Sequence, residues 1–297
     1  MKKWLTIDIV LTFILFLWGA LVRSMEAGLA CPDWPLCHGK IIPPFELPIL
    51  LEWTHRLLAA LVGFVTLGIF IGIWRKEIYR KQIAGLGTFT FLLLIVQALL
   101  GAGAVKGLLK PTLVATHLGV GMIFLLMLTW VLLKLNDAFY PIPLQWIGWQ
   151  QKLENILWLL TLFIFVQFVW GGYVSSSHAG LACPDFPTCL GTLWPSFIGN
   201  VGLHYTHRLL AYGIFVFILI LFFISKTYPI NRKFSKAVSA LLMIVVFQMG
   251  FGILNVVYQL PVALRILHLA FGTMLVAMSF VTSYKFSHAR FIESDQA

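Results

Sequence analysis

Four histidines set the first question. His55, His117, His207 and His268 each stand about one turn inside the end of a long apolar run. An ionisable group inside a membrane helix is a functional hypothesis by default. A lone imidazole there is more often a hydrogen bonder between helices than a ligand. These four are not alone, because their surroundings recur along the chain. Each is followed four residues later, on the same helix face, by a small residue: Ala59, Gly121, Ala211 and Gly272. Each half of the chain thus offers two imidazoles at one depth, on two helices, with room beside them for the edge of a flat ring. That is the ligand set of a haem held between facing helices of a bundle.

Haem propionates are anions and need cations. Arg56 and Arg208 directly follow a histidine, Arg265 precedes His268 by one turn, and Arg23 ends the first apolar run. All four are candidate propionate partners. The two halves differ at one position of chemical weight. Three residues before His55 stands Glu52, whereas three residues before His207 stands His204. A carboxylate at the mouth of a haem pocket accepts a proton or stabilises a cationic intermediate. The alternative for Glu52 is a solvated interfacial residue capping its helix. Arg23 against Ser175 is a second difference. One half reads as built for chemistry and the other for holding a cofactor. His38 and His178 fall in loops and His288 in the C-terminal tail. Gly101 and Gly252 read as helix packing contacts.

The elements that must position these residues follow from composition. Of 297 residues, 60% are hydrophobic and 11% charged. Soluble domains carry roughly 25% charged residues, so a soluble enzyme is excluded, and so is disorder. Eight segments are apolar and long enough to span a bilayer: 4–24, 51–73, 84–106, 112–134, 153–174, 203–224, 236–257 and 263–284. The runs are continuous, not alternating, which selects helices over a barrel. The first segment is too long for a cleaved signal peptide and lacks a small-residue cleavage pattern.

The sequence repeats itself. Gly28-Leu29-Ala30-Cys31-Pro32-Asp33 returns as Gly180-Leu181-Ala182-Cys183-Pro184-Asp185, at an offset of 152. Trp18-Gly19 returns as Trp170-Gly171, and Thr54-His55-Arg56 as Thr206-His207-Arg208. At an offset of 151, Gln97, Gly101, His117 and Gly121 match Gln248, Gly252, His268 and Gly272. The fold class expected is an all-α membrane protein, its eight transmembrane helices forming two pseudo-symmetric four-helix bundles in parallel tandem repeat. Inverted-repeat transporters are built the other way. The expected domains are 1–140 and 141–297, joined by a linker around 136–150.

Lys and Arg set the orientation. Fourteen fall on the side of the termini and seven on the other. Both termini are therefore expected in the cytoplasm, with the long loops 25–50 and 175–202 on the outer face of the cell membrane. Glu293 and Asp295 count with the cytoplasmic side. The net charge of +10 is mostly this topology signal, which argues against a nucleic-acid face. All four cysteines fall in the two outer loops, where disulfides persist. The natural pairing is Cys31–Cys37 and Cys183–Cys189; a four-cysteine zinc site is the alternative.

Taken together, Glu52-x-x-His55-Arg56, His117, His207-Arg208, His268 and Cys31/Cys37 beside Glu26 and Gly28 resemble the haem A synthase family over essentially the whole chain. The resemblance implies an oxidoreductase that converts the C8 methyl group of haem O to a formyl group, giving haem A for cytochrome oxidase. It implies His207 and His268 as ligands of a haem b cofactor, with His55 and His117 flanking the substrate haem. Glu52 becomes the essential acid near the reacting methyl, and the Cys31–Cys37 bridge shapes the substrate-side loop. The second pair, Cys183/Cys189, is not shared by every family member, which weakens a unique redox role for the first. The partners implied are haem O, haem A, membrane lipid, haem O synthase and cytochrome oxidase assembly factors, with a homo-oligomer left open. The alternative function is a di-haem b electron-transfer subunit of a quinone-linked complex, which would need no Glu52/His204 asymmetry. A haem carrier is a third reading.

Overall fold

Apolar runs of this length leave the backbone no partner but itself in lipid, and the chain answers with helices. The computed structural model describes residues 1–143, 147–228 and 230–292. Glu293, Asp295 and linker residues 144–146 lie outside the described residues. The helices are α1 (Lys2–Ser24), α2 (Leu47–Arg75), α3 (Glu77–Lys106), α4 (Pro111–Leu135), α5 (Ile147–Ser176), α6 (Gly199–Thr227), α7 (Arg232–Val257) and α8 (Val262–Ser287). Among the described residues these are eight helices long and apolar enough to cross a membrane. Most run about a turn beyond the apolar segments. Hydropathy ends where polar side chains begin, but the backbone ladder continues past them. Two three-residue strands, Pro141–Pro143 (β1) and Arg290–Ile292 (β2), pair in parallel beside the linker; sequence periodicity gives no sign of them.

By packing, the chain divides into two compact units. The first comprises residues 1–135 with 175–177 and 261–270; the second comprises 136–174, 178–260 and 271–297. In the first unit α1 packs on α2 and α4, α2 on α3, and α3 on α4. The four helices close a ring in which α2 and α4 stand diagonally. In the second unit α6 packs on α7.

The turns also repeat. Leu108 and Leu109 are left-handed, with φ of 52° and 55°, and so are Gln259 and Leu260, with φ of 57° and 63°. The turns close by Leu109 N–H to Ala104 O and Leu260 N–H to Asn255 O. Leu109 then lies over Gly28, and Leu260 over Gly180, where an added Cβ would come within 3.2 and 3.3 Å of the leucine methyl. A glycine at each loop start is thus fixed by a leucine of the distant turn.

Each of the two cysteine loops is a closed device. Disulfides join Cys31 to Cys37 and Cys183 to Cys189, with Cα separations of 4.7 and 4.6 Å. The zinc alternative falls away, since the thiols are paired. Inside each ring an aspartate binds the backbone. Asp33 accepts from His38 N–H at 2.7 Å and Gly39 N–H at 2.8 Å. Asp185 accepts from Leu190 N–H at 2.7 Å, Gly191 N–H at 2.9 Å and the Thr188 hydroxyl. These bonds hold two successive left-handed residues, with Gly39 and Gly191 in the second place at φ of 69° and 75°.

One buried pair distinguishes the units. Asp8 is fully buried and its Oδ2 accepts from Thr66 Oγ1 at 2.7 Å, tying α1 to α2. At an offset of 152 the same places hold Leu160 and Ile218, both also fully buried. A polar pair in one unit replaces an apolar pair in the other.

Two expectations follow. Thr66→Ile alone leaves a buried carboxyl without its donor and should cost about 1–3 kcal/mol, whereas Asp8→Leu with Thr66→Ile should recover most of it; thermal unfolding in detergent reads both, and additive losses would contradict the pairing. The second concerns acid. The Gly39 N–H leads the groups that hold the Asp33 carboxyl below its usual range, and the Thr188 hydroxyl leads those that hold Asp185 down to about 2. A depressed carboxylate pKa stabilises above the unfolded value and loses that contribution as pH falls through the folded one. Amide exchange at Leu190 and Gly191 should therefore stay slow at pH 3.8 and quicken toward about 2. Asp185→Asn should abolish that pH dependence.

Candidate functional site

The ring of four helices sets the geometry of the first unit. His55 is on α2 and His117 on α4, the diagonal pair, so the two imidazoles come from opposite corners of one bundle. Each is seated against a glycine of a neighbouring helix. A Cβ at Gly19 of α1 would lie 3.2 Å from His55 Cε1, and one at Gly101 of α3 would lie 3.2 Å from His117 Cε1. Gly101, expected as a helix packing contact, thus makes room for a histidine ring. Beside Gly19, Trp18 donates Nε1–H to Leu51 O at 3.1 Å and to Thr54 Oγ1 at 3.0 Å, locking α1 to the turn that carries His55.

Gln97 of α3 completes this arrangement. Its Nε2 donates to the His117 carbonyl at 2.9 Å and lies 3.4 Å from His117 Nε2. A Cβ at Gly121 would come 2.8 Å from that amide nitrogen, so Gly121 seats Gln97. Gly272 likewise faces Gln248, at 3.2 Å. The sequence reserves these small residues for a porphyrin edge, but glutamines occupy the space beside them. Helical spacing gives the face a residue shares, not the side chain that meets it there.

In the second unit the ring of His207 packs on Gly171, where a Cβ would lie 2.8 Å from Cε1. Trp170 Nε1–H donates to Leu203 O at 3.1 Å. Gln167 of α5 donates Nε2–H to the His207 carbonyl at 2.8 Å. His268 lies near the start of α8, among residues 261–270 of the first unit. In that unit Arg265 donates Nη1–H to Ser24 O at 3.3 Å, and Arg23 donates Nη2–H to Ser175 O at 3.3 Å. Both are half-buried.

Arg56 and Arg208 do something the sequence does not announce. Arg56 donates to the carbonyls of Asp33 at 2.6 Å, Leu36 at 2.7 Å and Cys31 at 3.0 Å. Its Nε–H pairs with Glu52 Oε1 at 2.9 Å. Arg208 repeats this with Asp185 O at 2.8 Å, Thr188 O at 2.9 Å and Cys183 O at 2.6 Å, and its Nε–H points to His204 Nε2 at 3.3 Å. Each guanidinium pins a disulfide loop onto the histidine helix. Expected at propionates, both groups direct most of their donors into loop backbone. A neighbour one residue along a helix points about 100° away, so the arginine leaves the helix on a different bearing from the imidazole.

Glu52 is 6% exposed and sits one turn before His55. The N-cap of α2 is Glu46, so Glu52 neither caps the helix nor faces solvent. The His204 side chain, 6% exposed, fills the matching place. Sequence reasoning missed Gln97 and Gln167 as partners of the histidine turns, and the loop carbonyls that Arg56 and Arg208 hold. Gln97 carried a signal, its repeat at Gln248; Gln167 matches Leu15 and carried none.

The donor set of the first unit is of the kind a haem iron takes. His55 Nδ1 and His117 Nδ1 are buried with no hydrogen-bond partner among the described residues, as is Gln97 Oε1. Two imidazoles on diagonal helices, each seated on a glycine and each with a buried Nδ1 that has no partner among the described residues, are groups that would hold a haem iron by axial ligation.

Relatives of known name cover most of the chain. A Heme A synthase of Staphylococcus aureus (strain bovine RF122 / ET3-1) is 28% identical over 285 residues, which cover 93% of this chain and 92% of that protein. A Heme A synthase of Alkalihalophilus pseudofirmus is 29% identical over 276 residues, 91% and 92% of the two chains. The family model described as cytochrome oxidase assembly protein, COX15-CtaA, matches residues 2–48 and 45–280. With glycine-cradled histidines and nearly its full length aligned, the chain belongs to the COX15-CtaA family of cytochrome oxidase assembly proteins.

Proposed function

We propose that this protein is a membrane-bound haem A synthase, an oxidoreductase that converts the C8 methyl group of haem O to the formyl group of haem A. The observation that carries the reading is the first-unit site, with diagonal His55 and His117 beside a buried carboxylate at Glu52. The loop staple itself does not need that carboxylate, since Arg208 holds the same three carbonyl positions with His204 in the place of Glu52. A buried acid that the fold can do without is retained for chemistry. Glu52 accepts a proton as the methyl is oxidised, and Arg56 orients it.

By the sequence repeat, His207 and His268 occupy the places of His55 and His117 and hold a haem b. That haem supplies a one-electron relay when bound. Arg23 and Arg265 are the propionate partners. Arg56 and Arg208 act on the cofactors through the loops they hold. The termini lie in the cytoplasm and the disulfide loops on the outer face of the cell membrane. Haem O arrives from a haem O synthase, and haem A passes to oxidase assembly factors.

Haem O supplied to the purified protein, followed by chromatography and mass analysis, tests the activity; absence of an aldehyde product with every electron acceptor class would overturn it. Glu52→Gln should keep the bound-haem spectrum and lower haem A formation by about 10²-fold or more. A variant as active as the parent would remove Glu52 from the chemistry. His207→Ala or His268→Ala should abolish the resident haem b spectrum, while His55→Ala and His117→Ala should leave most of it. Equal loss from both pairs would support the symmetric di-haem subunit instead.

A further inference from the structure

Gln167 is an uneconomical residue unless it has a task. It stands in an apolar helix, and its Oε1 is buried with no partner among the described residues. Its hydrogen bond there is the one from Nε2–H to the His207 carbonyl at 2.8 Å. At an offset of 152 the corresponding residue of α1 is Leu15, which packs against the apolar core of the first unit. Leucine therefore suits this place in the repeat, and the glutamine is not needed to fill it.

The contrast falls on otherwise matched histidines. His55 and His207 both pack on a glycine, Gly19 and Gly171, and both turns are anchored by a tryptophan. The His207 carbonyl receives a side-chain donor from α5, whereas among the described residues no side chain donates to the His55 carbonyl. The extra bond ties α5 to α6 at the residue that would carry the iron. An interhelical hydrogen bond of this kind in a membrane shifts an equilibrium by about three- to tenfold.

We propose that Gln167 is a positioning residue that makes the His207 site retain its haem, and that Leu15 leaves His55 able to yield, so that a haem bound there exchanges. The proposal rests on the reading that one half holds a resident cofactor and the other a substrate. Gln167 acts through the backbone of His207. It fixes the helix turn, so the imidazole would be held in one place against a bound haem. The α1–α2 pair is joined by Trp18 one turn before His55 but has, among the described residues, no side-chain bond to the His55 carbonyl itself, so the imidazole there would move aside more easily for a substrate that must enter and leave.

The experiment uses the full-length protein in detergent, loaded with haemin and mixed with excess apomyoglobin as scavenger, with haem loss followed in the Soret band. The parent should lose haem in two phases, the slow one absent in His207→Ala. Gln167→Leu should quicken the slow phase about three- to tenfold and leave the fast phase unchanged. Leu15→Gln should slow the fast phase by a similar factor. Two phases with the slow one unmoved in Gln167→Leu would overturn the role of Gln167 and leave the division between halves standing. Equal quickening of both phases would reduce Gln167 to general helix packing and overturn the proposal. A single phase in the parent would overturn the division itself, and the proposal with it.

Discussion

The burial of an arginine near the start of α2, and again of α6, organises the loop that packs on it. A guanidinium withdrawn from water demands acceptors. The chain supplies them as backbone carbonyls of a loop that a disulfide and an aspartate have already rounded into a ring. Arg56 is satisfied by Cys31, Asp33 and Leu36, and Arg208 by Cys183, Asp185 and Thr188. The loop is therefore shaped to the cation and the cation to the loop. Since each arginine directly follows a histidine, the position of the lid and the position of the imidazole are set by one helix turn.

This constraint also explains how the two halves have diverged. The staple requires the arginine and the carbonyls. It tolerates either Glu52 or His204 at the Nε–H, because carbonyl dipoles already satisfy most of the guanidinium. The position one turn before the histidine was thus open to change without loss of the loop. In one half it holds a carboxylate next to the diagonal histidines, and in the other an imidazole that brings no negative charge. Duplication of a stable frame left one chemically weighty position free on each copy.

The sequence made the spans legible because lipid forces a long apolar run into a helix, whatever its neighbours. It made the histidines legible because an imidazole in such a run is costly and these four repeat. The pairing of the cysteines was open to reading from loop position alone. Partners were less legible. A carbonyl acceptor has no side-chain signature, so nothing in Arg56 or Arg208 points to the loop rather than to an anion. Gly121 and Gly272 reveal that something needs space but not that it is a glutamine. The strand pair Pro141–Pro143 with Arg290–Ile292 joins segments far apart in sequence and too short to show periodicity. Gln167 was invisible because it breaks the repeat instead of following it.

The glycine seats reverse the usual ranking of what a protein tolerates. Large side chains such as Phe64, Leu99 and Leu92 are more than half exposed, and in lipid one bulky apolar group serves there as well as another. Deep in the bundle the smallest possible addition, one methyl at Gly19 or Gly101, meets a histidine ring at 3.2 Å. Drift in this molecule is then generous in volume on its outside and confined to hydrogen atoms at its centre. A variant catalogue would therefore sort by distance from the glycine-seated imidazoles of His55, His117 and His207, not by the size of the change.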